Sequence, residues 1–409
     1  MRTLTLILIA VTSGKYLAAQ DLSPIPKPSR GTKRPAADAA SETATEQRLT
    51  DKSFELLGGW RIPPANRNGQ TMGFTKGGLG IRRNDDGSMT LWIGHHVKNK
   101  TVQEFKIDSK MGTSEALVAK WPSASSVRNL GKVYSEVSGS NSYIEPRGYY
   151  WDAKRQRLLV SGRQWYATQG SPKKWIVPVD VGSEVVVEPA ESWGLSMQGF
   201  GGGFIELSQA FADKYNQGVL ICASRGGYES GQGSIPSVTL GTQAGRAIMA
   251  SRWNSAKDDR ERRDADYDRA GAMKPPWVYD PDGEVGYWGT DRVEATAWVN
   301  NALIAIITHP TGRMNYALQN HTLSTSSKKS IYIYDESVLA AACTGRIPKN
   351  RVRGRWYPWV SQHKNLRHVV GMWFDSQKQQ LYVLYARSWR QNESVNEQYP
   401  ALAVYRVNT

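Results

Sequence analysis

The chain has 409 residues, with 52 Lys and Arg against 37 Asp and Glu, a formal net charge of +15 and a pI near 9.6. Fifteen Trp, 19 Tyr and 38 Gly beside only two Cys exclude a disulfide framework and a cysteine-built zinc module, and favour short aromatic strands joined by tight turns. The basic balance points to an anionic partner.

Residues 1–19 read as a secretory signal: Arg2 gives a positive start, Leu4 to Val11 is an unbroken apolar run, and Ala18 and Ala19 supply small residues. The expected location is therefore secreted or periplasmic. No later stretch is apolar over the roughly 18 residues that a membrane span needs. Residues 20–52 are Pro, Ala, Ser, Thr and charge without apolar periodicity, and read as a disordered leader or linker. Residues 53–409 form one expected β-domain, with an insertion at about 252–290.

Within that domain one pattern recurs: a first apolar strand, a tight polar turn, then a second, strongly apolar strand. The copies begin with Gly78–Ile81 and Met89–Ile93 around the turn Asn84–Gly87. Gly148–Trp151 and Leu158–Val160 follow, around Asp152–Gln156. Gly203–Ile205 and Val219–Cys222 make a weaker third copy with a longer connection. The fourth is Val293–Trp298 and Leu303–Ile307, and the fifth is Gly371–Phe374 and Leu381–Tyr385 around Asp375–Gln379. Third strands are expected at Val102–Ile107, Trp175–Val179, Ile331–Tyr334 and Ala401–Tyr405. Units that cannot bury a face alone must stack on one another, and radial stacking makes a propeller. The expected fold is all-β, a five-bladed β-propeller closed by an N-terminal strand near Glu55–Ile62; a β-sandwich with insertions is the alternative.

This architecture resembles the five-bladed propellers of secreted carbohydrate-active proteins, glycosidases and lectins among them. The resemblance covers residues 55–409 as a repeat pattern and brings no family-specific catalytic motif. It implies a functional face where the second strands end and the first strands begin. There the sequence places His95-His96, Arg163 with Trp165 and Tyr166, and Arg225 with Tyr228. His309 with Arg313 and Tyr316, and Arg387 with Trp389, follow. Entries to the first strands add Arg292 and His368. Arginines there would fork onto carboxylate or sulfate while aromatic rings stack on sugar faces. Against this stands the abundance of Arg and Trp, which would fall in many loops by chance.

His95, His96 and His309 as bases, Arg313 on a uronate carboxylate and Tyr316 as acid would suit β-elimination, the chemistry of a polysaccharide lyase. Glycoside hydrolysis needs two carboxyls, and Glu145, Glu229, Asp291 and Glu294 are the candidates. Propeller glycosidases place an essential Asp on the first inner strand, and Gly78–Arg83 has none, which sets hydrolysis second. A non-catalytic glycan-binding or scaffold propeller is the third reading. Asp280, Asp282 and Glu284 alternate as calcium ligands do, without the rest of a twelve-residue loop, so no metal or cofactor is expected. The expected partner is an acidic polysaccharide or other anionic glycan met by a monomer, and secretion argues against nucleic acid. Cys222 and Cys343 form at most one bridge.

Overall fold

The computed structural model describes residues 48–408, apart from 66–70, 76, 96–100, 135–143, 165–175, 192–202, 216–219, 225–237, 243–246, 252–291, 312–325, 348–351, 353 and 392–396. The expected signal, most of the leader and the insertion at 252–290 lie outside those residues.

The strands in chain order are β1 (Phe54–Arg61), β2 (Leu79–Arg83), β3 (Met89–Gly94), β4 (Val102–Ile107), β5 (Gly112–Thr113), β6 (Ser125–Asn129), β7 (Ile144–Asp152) and β8 (Arg157–Gln164). They continue with β9 (Ile176–Val181), β10 (Val185–Val187), β11 (Gly203–Glu206), β12 (Leu220–Ser224), β13 (Val238–Thr242), β14 (Ala247–Ser251) and β15 (Arg292–Val299). The last are β16 (Ala302–Thr311), β17 (Ser326–Asp335), β18 (Arg355–Pro358), β19 (His368–Asp375), β20 (Gln380–Trp389) and β21 (Tyr399–Val407).

They pair into antiparallel sheets ordered β2-β3-β4-β6, β10-β9-β8-β7, β11-β12-β13-β14, β15-β16-β17-β18 and β19-β20-β21-β1-β5. The innermost strand of each sheet lies against those of two others: β2 on β7 and β19, β11 on β7 and β15, and β15 on β19. The chain is thus an all-β propeller, and the sandwich alternative, with two facing layers, is set aside.

The sequence match between the second and fifth copies has a physical basis in their turns. Asp152 accepts the Arg155 N–H at 3.2 Å, and Asp375 accepts those of Gln377 and Lys378 at 3.0 and 3.1 Å. Gln156 and Gln379 both sit in the left-handed region, at φ 52°, and each donates its side-chain amide three residues back, to Ala153 and Ser376. The first turn uses other means: Asp86 accepts the Ser88 N–H at 2.9 Å and hydroxyl at 2.5 Å, and those bonds hold its carboxyl down to about 2. The weak third copy owes its longer connection to α1 (Gln209–Lys214), whose Phe211 packs on Trp298 at a 4.9 Å ring separation. A second helix, α2 (Glu336–Cys343), follows β17; its last residue, Cys343, packs half-buried against the same apolar cluster.

What brings the sheets close is the absence of side chains on the inner strands. A Cβ on Gly148 would come within 2.7 Å of the Gly203 Cα, one on Gly371 within 2.7 Å of the Leu79 Cβ, and one on Gly80 within 2.8 Å of the Tyr149 Cβ. Gly148→Ala and Gly371→Ala should each cost about 1–3 kcal/mol, because a Cβ at either position meets a Cα or Cβ of the neighbouring sheet that cannot swing aside, and at Gly148 also the Ser161 hydroxyl of its own sheet at 2.6 Å. Chemical denaturation of the two variants checks this; unchanged midpoints would mean that the inner strands are loosely packed.

Candidate functional site

Antiparallel pairing puts the start of each first strand beside the end of the second: Ile144 opposite Gln164, Arg292 opposite Thr308, and His368 opposite Ala386. At this end three inner strands carry a bulge at the same step. One extra residue interrupts the ladder at Arg147 in β7, Glu294 in β15 and Val370 in β19. A bulge re-aims the inserted residue and bends its strand, so the three strands are reshaped together at one end. On β20, Arg387 adds a left-handed backbone at φ 54°, a conformation that costs a non-glycine residue and persists only where its surroundings impose it.

Five ionisable groups act on one another here. His368 feels Lys329, Arg387, Glu294 and Arg367; Lys329 feels Glu294 and Arg367. The imidazole has open surface, but protein on its inner side removes water, and that loss of hydration is the largest influence lowering its pKa. Lys329 and Arg387 push it down further, and Glu294 pulls it back up. Lys329 is lowered too, first by burial. The strand beyond it is closed off on both faces, with Ser330, Ile331, Tyr332 and Ile333 all buried. The result is one carboxylate among three permanent or near-permanent cations, with a histidine biased toward its neutral form. Such a group can hold an anion, and it offers Glu294 and His368 for proton transfer.

The residues singled out from the sequence fall unevenly. His368 and Arg387 belong to this cluster. Arg163 lies on β8 opposite Glu145, Arg292 starts β15, and His309 lies on β16 opposite Lys328, with their backbones described. His96, Trp165, Tyr166, Arg225, Tyr228, Arg313 and Tyr316 lie outside the described residues, as do Asp280, Asp282 and Glu284. His95 is 1% exposed and its Nε2 lies 2.7 Å from the Ala65 carbonyl oxygen, so it is a buried, hydrogen-bonded histidine removed from solvent. Trp389 is also buried: its ring packs on Tyr399 at 5.1 Å, Arg61 lies over it at 4.9 Å, and its N–H donates to the Pro400 carbonyl at 2.9 Å. Those two side chains serve packing. Lys329 was missed in the sequence because the third strand of its copy was expected only from Ile331, whereas β17 starts at Ser326.

Imidazole titration by NMR gives a direct check. The His368 midpoint should lie below the ordinary 6.5, fall further in Glu294→Gln, and rise in Lys329→Met. Because folding depresses this value, the unfolded chain binds more protons as pH falls through 6.5, so His368 subtracts from stability on the acid side and has no effect well above it. Shifts of the opposite sign would mean that the five groups do not share a site.

No protein-family model matches the sequence, and no curated protein matches it. Solved structures with a similar course of chain include an exo-β-1,3-galactanase from Phanerochaete chrysosporium, at 8% identity and a TM-score of 0.42 over 86% of this chain and 63% of that one. An α-L-arabinofuranosidase from Lactobacillus brevis is similar at 8% identity and 0.43, over 82% of this chain and 92% of that one. A PQQ-bound aldose sugar dehydrogenase from Streptomyces coelicolor follows at 12% and 0.33, over 86% and 97%. The chain spans less than two thirds of the galactanase chain. At these scores none of the three tells what this chain binds or converts.

Proposed function

We propose that the chain is a secreted or periplasmic carbohydrate-active propeller of five blades that hydrolyses a glycosidic bond in an anionic glycan. The observation that carries this reading is the set of three aligned bulges at one end of the inner strands, with Glu294, Lys329, Arg367, His368 and Arg387 gathered there. Hydrolysis takes the place of elimination as the leading chemistry because Glu294 is a carboxyl within the cluster. Arg313 and Tyr316, on which elimination depends, lie outside the described residues. Glu145, two residues before the bulge of β7, is the second carboxyl that an acid–base pair requires. Lys329, Arg367 and Arg387 favour a carboxylated or sulfated sugar over a neutral one.

The test incubates the full chain with neutral, uronate-containing and sulfated polysaccharides. New reducing ends and the ultraviolet absorbance of a conjugated product are both followed. Reducing ends should appear on a charged substrate without absorbance, and Glu294→Gln and Glu145→Gln should each lower the rate by roughly 100-fold or more. Absorbance would restore elimination. Saturable binding with no turnover would make the protein a glycan-binding module, and full activity in both variants would remove the site from this face.

Five blades and their closure are supported by five sheets and by β1, which pairs with β21 from Phe54↔Val407 to Arg61↔Ala401. Deleting residues 53–63 would bare β21 along its length. That truncation should abolish cooperative thermal unfolding; an unchanged transition would show that closure lies elsewhere.

A further inference from the structure

The opposite end of the inner strands, where the tight turns lie, forms an open cavity of about 660 Å³. Its size falls in the range of small-ligand sites. Four inner strands converge on it, β2, β7, β11 and β19, each through its last residues or the turn that follows. Most polar groups of the lining are already engaged in holding one sheet to the next. Arg82 lies over the Trp151 ring at 4.7 Å and donates to Asn84 at 3.0 Å; Arg83 pairs with Asp375 and reaches the Tyr382 hydroxyl at 3.3 Å.

Three groups have capacity left. Glu206, at the end of β11, accepts the Tyr150 hydroxyl at 3.2 Å and has no cation within ion-pair distance among the described residues. Glu206 is exposed to the open space, and protein packed on its inner side removes part of its hydration and raises its pKa. The indole N–H of half-exposed Trp373 and the side-chain amide of Gln377 have no protein partner among the described residues. With Phe374, also half-exposed, the lining offers aromatic surface, a carboxyl acceptor, an amide and an N–H donor around one space. The two arginines at its edge disfavour a cationic guest, and the carboxyls of Asp85, Glu206 and Asp375 disfavour an anionic one.

We infer that this cavity is a second binding site, taking a neutral sugar ring whose hydroxyls bond Glu206, Gln377 and the Trp373 N–H while its apolar face lies on Phe374. Such mixed aromatic and polar linings suit a guest with one apolar face and a rim of hydroxyls. The inference rests on side chains of this face alone and does not require turnover at the other.

Titration calorimetry of the full chain with glucose, galactose, xylose and arabinose tests it. At least one sugar should bind saturably, with affinity reduced roughly tenfold or more in Glu206→Gln and in Trp373→Ala. Glu294→Gln should bind it as the parent does, which separates this site from the hydrolytic proposal. Glu206→Gln keeps the shape of the side chain, so it remains informative where Trp373→Ala fails to fold. Failure of all four sugars to bind, or equal binding in Glu206→Gln and the parent, would overturn the assignment.

Discussion

Backbone meeting backbone at the inner strands is the constraint from which the remaining architecture follows. Where Gly148 faces Gly203 and Gly371 faces Leu79, sheets approach to a distance that no side chain permits. Strands this close must splay outward with the twist of each sheet, which opens wedges that large side chains then fill. Trp92 and Trp151 stack at 5.3 Å between the first two sheets, and the Arg82 guanidinium lies over both rings. The Trp121 and Phe105 side chains are completely buried farther out. Thus the glycine and tryptophan content express one geometry: glycine where the sheets converge, aromatic rings where they diverge.

Convergence leaves the edges of each sheet to be managed. Arg128 on β6 donates to Gly182 at 2.7 Å and to Val181, while its Nε reaches Glu104 at 3.1 Å; one guanidinium thereby ties the outer strand of the first sheet to the second. β1 is covered by β21 on one side; on the other, Gly58 and Gly59 meet β5, and the Arg61 backbone bonds the Pro122 carbonyl and the Ala124 N–H. Its remaining edge is met by the amide of Gln362, which accepts the Leu56 N–H at 2.6 Å and donates to the Phe54 carbonyl at 2.7 Å. A side-chain amide here substitutes for a strand and blunts an edge that would otherwise recruit another chain. The exposed Glu55–Arg406 pair adds little, since water screens it.

The repeat was legible because the second strands of the first, second, fourth and fifth copies are buried along most of their described length, and that demand writes an apolar run into each. The first and second strands of the fifth copy, expected at Gly371–Phe374 and Leu381–Tyr385, lie within β19 and β20. Outer strands were not legible. β6 is polar and exposed through Ser125, Ser126 and Val127, and β10 is three valines long, so neither carries the alternation that marks a half-buried strand. At the candidate site, His368 and Arg387, singled out by their offset in the repeat, lie near enough to influence one another. The bulge at Glu294 was not, because a one-residue insertion leaves no mark in composition. His95 was misread for a related reason: position at a strand end does not show whether the ring turns toward solvent or toward the Ala65 carbonyl.

The two ends of the inner strands divide the work between them. At the turn end, short connections hold their side chains in fixed places, and those side chains join neighbouring sheets: Arg83 with Asp375, Tyr150 with Glu206, and Asn300 with Gln379 at 3.0 Å. A charge change at Arg83 or Asp375 is felt as stability. At the other end, bulges at Arg147, Glu294 and Val370 free one residue per strand from the ladder, and there loss of hydration lowers the proton affinity of Lys329 and His368 while neighbouring cations add to the effect and Glu294 opposes it. Lys329 and His368 are both held below their ordinary values, first by loss of hydration, and a bound anion would favour the charged form of each. The buried strands β16, β20 and β1 supply the stability that offsets the cost of holding Lys329 and His368 partly out of water.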